Sequence, residues 1–426
     1  MTSARKRGNG VRQITVWKKL LGVEHVAIED VRVETGLRGE EIAVVALRPD
    51  RHVRLRCPQC RRKCGLADEG EGRRRWRALD VHGRKCYLEA RAPRVRCPSH
   101  GLIVASVPWA RHGSRFTAAF EDQAAWLCAQ MAWRKVAVLL RTTWESLQSI
   151  TVRVTAENRG KRDRLAGLRR IGIDEKSWGK GDDKYIMVVT DHGTGEIVWA
   201  AGGRCQDTVR AFFTALGPER SKLLTHVSAD GAEWIHDVIR EKAPRALICL
   251  DAFHVVKWAG EALDKVRRRT AAELRAAGNA DQAASLGQSM WALRKAPEKL
   301  TGNQRTSLAG IAADNEQLYR AYLMKEQLRE AFRVKGKHGK ALITGLIAWA
   351  RRSRIPEFAR LARTLTRFKD LIFATMDGGP SNGRAEGVNS QIQALIARAR
   401  GFGSAGAVIA MAELVHGGLC PDLPLR

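Results

Sequence analysis

Two groups of residues in this chain have the types and spacing to do chemistry. The first is Cys57-Pro-Gln-Cys60 with, further along, Cys97-Pro-Ser-His100. Thiolate and imidazole are the donors that hold Zn²⁺ in a tetrahedron. Two short Cys-x₂ pairs flanking a hairpin fit a zinc ribbon with Cys₃His ligation. The second group is a set of carboxylates, Asp174, Asp230 and Glu386. Aspartates brought side by side repel one another unless a cation lies between them. Mg²⁺ (or Mn²⁺), held by one or two carboxylates plus phosphate oxygens, is the usual answer. Such ions serve in-line displacement at phosphorus, and a two-ion arrangement needs a third acid, for which Glu386 is the best placed.

Each of these residues also has a plainer reading. An aspartate at a strand end often caps a turn or a helix, and a glutamate in the first turn of a helix is favoured by the helix dipole. Glu175, beside Asp174, is expected on the opposite face of its strand. Asp251 and His254, in Asp251-Ala-Phe-His254, are either a helix cap with a buried histidine or a pair that positions DNA near the acids. Cys64 and Cys86 are competing thiols; Cys86 alternates with strand residues and reads as a buried side chain. Trp76, within Arg73 to Arg77, and Trp109, near Arg111, read either as stacking platforms or as cover for a small domain.

The elements that must carry these residues follow from periodicity. Glu41 to Leu47 reads as a strand, and runs around Arg75–Val81 and Lys85–Ala92 read as a hairpin turning at His82-Gly83. From Arg115 to about Arg164 the pattern is helical. Trp133–Arg141, then a helix capped by Thr143 and followed by Arg153, Arg159, Lys161 and Arg162, fit a helix-turn-helix. The centre changes period again, with strands at Arg169–Asp174, Tyr185–Asp191 and Glu196–Ala200, then a helix at Gln206–Leu216. A strand at Leu223–Ala229, a helix at Ala232–Lys242 and a strand at Ala246–Leu250 complete it. That β-β-β-α-β-α-β order is α/β in class, a mixed sheet with helices packed on it, as in RNase-H-like folds. In such a sheet the first and fourth strands lie parallel and adjacent, so Asp174 and Asp230 end together at the ligand-binding edge. From about Val255 to Lys369 the pattern is helical throughout.

Composition bounds the partner. Lys and Arg outnumber Asp and Glu, 74 to 45, for a formal charge of +29, and the usual counterpart of such an excess is nucleic acid. Nine cysteines, an odd number with five crowded between Cys57 and Cys97, suit metal binding in a reducing compartment better than disulfides. No signal peptide opens the chain and no run approaches a membrane span, so a cytoplasmic, nucleoid-associated protein is expected. There is no phosphate loop of the Walker type, so no nucleotide cofactor is implied.

The runs Gly172-Ile-Asp-Glu-Lys-Ser-Trp178, Ser228-Ala-Asp230, Asp251-Ala-Phe-His-Val-Val-Lys257 and Ser381-Asn-Gly-Arg-Ala-Glu-Gly-Val-Asn389 resemble those of bacterial ISL-type insertion-sequence transposases, along nearly the whole chain. The resemblance implies a DDE triad at Asp174, Asp230 and Glu386, with Asp251, His254 and Asn389 as active-site support. It also implies a structural Zn²⁺ on Cys57, Cys60, Cys97 and His100, although the family more often closes that site with a second Cys-x₂-Cys. The implied domains are an N-terminal segment (1–50), a zinc-ribbon-like DNA-binding domain (51–110) and a helix-turn-helix (111–165). A DDE catalytic domain (166–426) follows, with a helical insertion at about 270–370. The implied function is binding of terminal inverted repeats, then DNA end cleavage and strand transfer, by a homodimer or higher oligomer on double-stranded DNA. The rivals are an RNase-H-like nuclease or resolvase that cuts without joining, and a non-catalytic DNA-binding derivative.

Overall fold

In the computed structural model the described residues are 16–181, 183–379, 383–399 and 401–423; the side chains of 383–386, 389, 398 and 399 also lie outside the described set. The chain divides into two units, residues 1–162 with 419–426, and residues 163–418.

In the first unit, strands β1 (Val26–Thr35), β2 (Glu41–Pro49), β4 (Arg73–Val81) and β5 (Arg84–Arg91) form one sheet in the order β1-β2-β5-β4. The expected N-terminal segment therefore contributes its strands to the same sheet as the hairpin, with β2 parallel to β5. At the hairpin turn His82 (φ 48°) and Gly83 (φ 79°) are both left-handed, as a two-residue turn matched to strand twist requires. β2 is buried from Ile42 to Leu47, and with Trp76, Leu88, Ala90 and Trp109 it builds the core. Trp76 and Trp109 are each 3% exposed and meet edge to face at 5.4 Å, so both are core residues rather than stacking platforms. A separate small sheet, β3 (Gly65–Asp68), β6 (Arg94–Cys97) and β7 (Gly101–Val104), lies in the order β3-β6-β7. The hairpin between the two cysteine pairs thus belongs to the larger sheet, where Cys86 is buried and its thiol is pushed up to about 11 by that burial.

Three helices follow: α1 (Ala118–Gln130), α2 (Trp133–Leu139) and α3 (Trp144–Arg159). Thr143 caps α3 by accepting from Ser146 N at 3.2 Å. Trp133 and Trp144, 5.6 Å apart, close the turn between α2 and α3. Glu121 of α1 is fully buried and gathers Arg153 (2.6 Å), Arg111 (3.3 Å) and Ser114 (2.7 Å). Arg153, expected in the basic DNA-facing segment, is spent on that internal pair.

In the second unit, β8 (Arg170–Ser177), β9 (Tyr185–Asp191), β10 (Ile197–Gly202), β11 (His226–Ala229) and β12 (Leu247–Leu250) form a mixed sheet ordered β10-β9-β8-β11-β12. β8, β11 and β12 run parallel, and β9 is antiparallel to both its neighbours. Strand β9 shows how the sheet is covered. Met187 and Val189 join the core built with α4 (Gln206–Leu216) and α5 (Glu233–Lys242). Ile186 and Val188 face Val388, Ile392 and Val408 on two later helices. Between β12 and those helices, residues 252–376 are nearly all helical, starting with α6 (Ala252–Ala276), around an apolar core of their own.

Candidate active site and metal centre

The parallel register aligns three acids. The offset that pairs His226 with Arg170 carries Asp230 to Asp174, and the offset that pairs His226 with Leu247 carries Asp230 to Asp251. Strand pairing of β11 with β8 stops at Gly172, while β8 itself runs on past Asp174 to Ser177 beside β9. Asp174 is thus not the last residue of its strand but lies where the neighbouring strand has ended. Asp174, Asp230 and Asp251 line one cavity of about 440 Å³, together with Glu175, Lys176, Tyr185, Arg204, His254 and Lys257.

Each side chain is held locally. Asp174 Oδ1 accepts from Glu175 N at 2.7 Å, and its Oδ2 is 3.2 Å from Lys176 Nζ. Asp230 Oδ1 accepts from Ala232 N at 3.0 Å, and the Asp230 carbonyl meets His236 Nε2 at 2.7 Å. Between them Gly231 must be glycine, because a Cβ there would stand 2.5 Å from the Trp258 ring of α6. Asp251 caps a helix, as the first of its two readings has it. Its Oδ1 caps α6 through Phe253 N at 3.0 Å, and its Oδ2 is 2.7 Å from His254 Nδ1 in the cavity. That bond with Asp251 raises the His254 pKa, burial working against it.

Glu175 departs from expectation. Alternation alone would send it away from Asp174, yet it lines the same cavity, 7% exposed, with Oε2 2.5 Å from Arg204 Nε. Beyond Gly172, among the described strands, β9 alone pairs with β8, so the cavity at the open edge of the strand is reached from both of its faces. Burial raises the Glu175 pKa, and Arg204 opposes the rise. Arg204 was invisible in the sequence as a site residue; the one available signal was a basic residue two positions after a strand parallel to β8.

Glu386 lies in the helix Gly383–Ala399, one turn ahead of Ser390, which lines the cavity with Gln393. Gln393 Nε2 donates to the Ser177 carbonyl at 3.3 Å. The side chains of Glu386 and Asn389 lie outside the described residues.

In the first unit, donor atoms of Cys57, Cys60, Cys97 and His100 all lie within 4.8 Å of one another. Cys57 Sγ and Cys97 Sγ are each 3.5 Å from His100 Nδ1, and Cys60 Sγ is 3.6 Å from Cys97 Sγ. Zinc bonds of about 2.3 Å to sulfur and about 2.0–2.1 Å to nitrogen span tetrahedral edges of roughly this length, so the residues present fit the ion. Against burial, which would raise it, backbone donors from Ser99 and His100 hold the Cys97 thiol down at about 7. Cys64 stands outside the four-ligand cluster. No described helix is long and apolar enough to cross a membrane.

A sheet in this order, with acids at its C-terminal edge and a zinc ribbon and helix-turn-helix ahead of it, is the architecture of a DNA transposase with an RNase-H-like domain. Comparison with known sequences agrees. Residues 171–412 match the ISL3 transposase domain, residues 54–100 the zinc finger of IS204/IS1001/IS1096/IS1165 transposases, and residues 105–154 the helix-turn-helix domain of transposase family ISL3. The transposase for insertion sequence element IS1557 of Mycobacterium tuberculosis, in strains CDC 1551 / Oshkosh and ATCC 25618 / H37Rv, is 43% identical over 437 residues, covering 98% of both chains. The transposase for insertion sequence element IS1001 of Bordetella parapertussis is 25% identical over 366 residues, 84% of this chain and 87% of its own. The chain belongs to the ISL3 family of insertion-sequence transposases.

Proposed function

We propose that Asp174, Asp230 and Glu386 are the catalytic acids and that they hold Mg²⁺ or Mn²⁺ at the C-terminal edge of the sheet. The observation that carries this reading is the register, which sets Asp174 and Asp230 in line on adjacent parallel strands above a shared cavity. The donor set is all oxygen, the chemistry of a hard divalent ion. When bound, such an ion activates the attacking oxygen and neutralises the leaving one. The chain's own part is to fix the acids: Ala232 N and His236 hold the Asp230 loop, and Asp251 keeps His254 turned into the cavity. Asp251, His254 and Asn389 then support the substrate strand.

Hydrolysis at the element's end followed by attack of the freed 3′-hydroxyl on target DNA uses one geometry twice. In this reading the zinc ribbon and helix-turn-helix bind the terminal inverted repeats. α3 enters the major groove through its exposed Glu145, Ser149 and Val152. Two ends must be held together, so the working form is a dimer or larger assembly on DNA.

A donor-end cleavage and strand-transfer assay tests this. Wild type should cut and join only with Mg²⁺ or Mn²⁺, while Asp230→Ala should lose at least about a thousand-fold in both steps and keep its DNA affinity. Cutting without joining would make the protein a nuclease; no metal-dependent activity would leave a DNA-binding derivative.

A further inference from the structure

Arg204 follows β10, which is parallel to β8 through their shared antiparallel neighbour β9. It therefore emerges at the same sheet edge as the acids and lines their cavity. Two contacts fix it: its Nε lies 2.5 Å from Glu175 Oε2, and its guanidinium carbon sits 5.0 Å from the Tyr185 ring centroid. Glu175 is 7% exposed and its Oε1 has no hydrogen-bond partner among the described residues, so the arginine is what compensates its charge. Arg204 itself is 49% exposed.

A cavity walled by Asp174, Glu175, Asp230 and Asp251 would repel a DNA backbone. Of its other cations, Lys176 is drawn to Asp174 at 3.2 Å and Lys257 stands 4.0 Å from Glu261. A guanidinium presents five donors in a rigid fork suited to phosphate oxygens, and its closest approach to Glu175 is through the inner Nε.

We propose that Arg204 grips a phosphodiester of the DNA strand entering the catalytic cavity, and that Glu175 is a positioning residue that aims it. This rests on the reading of the cavity as the catalytic site. It adds a phosphate-binding subsite whose residues are neither the triad nor Asp251 and His254.

The test uses the full chain, Ca²⁺ to prevent cleavage, and a duplex with the end sequence of the element that carries this chain. Single methylphosphonates, which are neutral, are placed one at a time along the strand to be cut. Wild type should lose about ten-fold in affinity at one position near the cleavage point. Arg204→Ala should bind the unmodified duplex about ten-fold more weakly and be indifferent to the substitution at that position, with a salt slope lower by about one. Arg204→Lys should recover part of the loss. Glu175→Gln should share the defect and add little to it in the double variant. Thermal unfolding of each variant separates a lost contact from a lost fold.

An Arg204→Ala protein that keeps the wild-type methylphosphonate pattern overturns the inference. So does a Glu175→Gln protein with full affinity that needs more Mn²⁺ for half-maximal cleavage, because Glu175 would then serve the ion. Should wild type show the pattern but never cleave with any divalent ion, the triad reading fails and the subsite stands.

Discussion

Beneath the acids, Gly172, Thr190, His192 and Ser228 meet at close range. His192 Nε2 is 2.7 Å from Ser228 Oγ, and a Cβ at position 172 would come within 3.0–3.2 Å of Thr190, His192 and Ser228. Burial pushes the His192 pKa down to about 4, with Asp191 and Asp251 opposing and Arg170 and His226 adding to the fall. Above about pH 6.5 the ring is neutral in both folded and unfolded chains. Between there and about 4 only the unfolded chain takes up the proton, so stability drops as pH falls, by at most on the order of 3 kcal/mol. His192→Gln should flatten that part of the pH dependence of Tm, and identical slopes for the two proteins would refute it. At this scale the sequence was partly readable. Asp174 and Asp230 stood out as aspartates beside strand-like runs. Glu175 was misassigned because alternation fixes the face from which a side chain leaves, not what lies there: past the end of β11, the cavity at the edge of β8 is reached from both faces. The two readings of Trp76 and Trp109 were equal in the sequence because an arginine-flanked indole looks the same whether its ring faces a base or another indole.

Among the elements, the last described helix, Ala405–His416, is tied to the entry of the sheet by an ion pair between Glu413 and Arg164 at 2.9 Å, with both side chains almost wholly buried. Taking one member away leaves a charge in the interior, which costs about 3–5 kcal/mol. Glu413→Ala should therefore lower the urea midpoint sharply, and Glu413→Leu combined with Arg164→Met should restore much of it. A double variant no better than the single one would mean that the pair does not act as a unit. Strands β8 to β12 were legible because apolar runs there are punctuated by turns such as Asp191-His-Gly-Thr-Gly195. β1 was not, since its register shifts between Ile28 and Asp30 and breaks the alternation. The ribbon strands β3, β6 and β7 are four residues each, too short for a period to be seen. Helices of the 252–376 region were readable as helices, but which of them touch is a matter of packing that no single-sequence pattern encodes.

Across the whole chain, a charge of +29 and a zinc ribbon beside a helix-turn-helix describe a protein built to sit on DNA. The ribbon is tied by thiolates and has little core of its own, so its ion contributes folding energy outright. Prolonged chelation should release one Zn²⁺ per chain, make Cys57, Cys60 and Cys97 reactive toward thiol reagents and weaken DNA binding. The helical far-ultraviolet signal, carried largely by residues 252–376, should be retained. Retained thiol protection after zinc loss would show that the ribbon stands without it. The two Cys-x₂ pairs were legible as a cluster, while Cys64 and Cys86 competed for a place in it until the fold left them outside. What holds the rest of that unit, the sheet that recruits β1 and β2, is non-local and was not.

The shared offset of the parallel strands has a consequence for tracing distant kin of this protein. What keeps Asp174, Asp230 and Asp251 abreast is ladder pairing between β8, β11 and β12, while the chain between those strands runs through hairpin, helix and loop that can lengthen or shorten without disturbing the row. Counting residues between acids is therefore a poor ruler in this fold. A better one is the short apolar run immediately before each acid, read as three strands whose ladder register keeps the acids level.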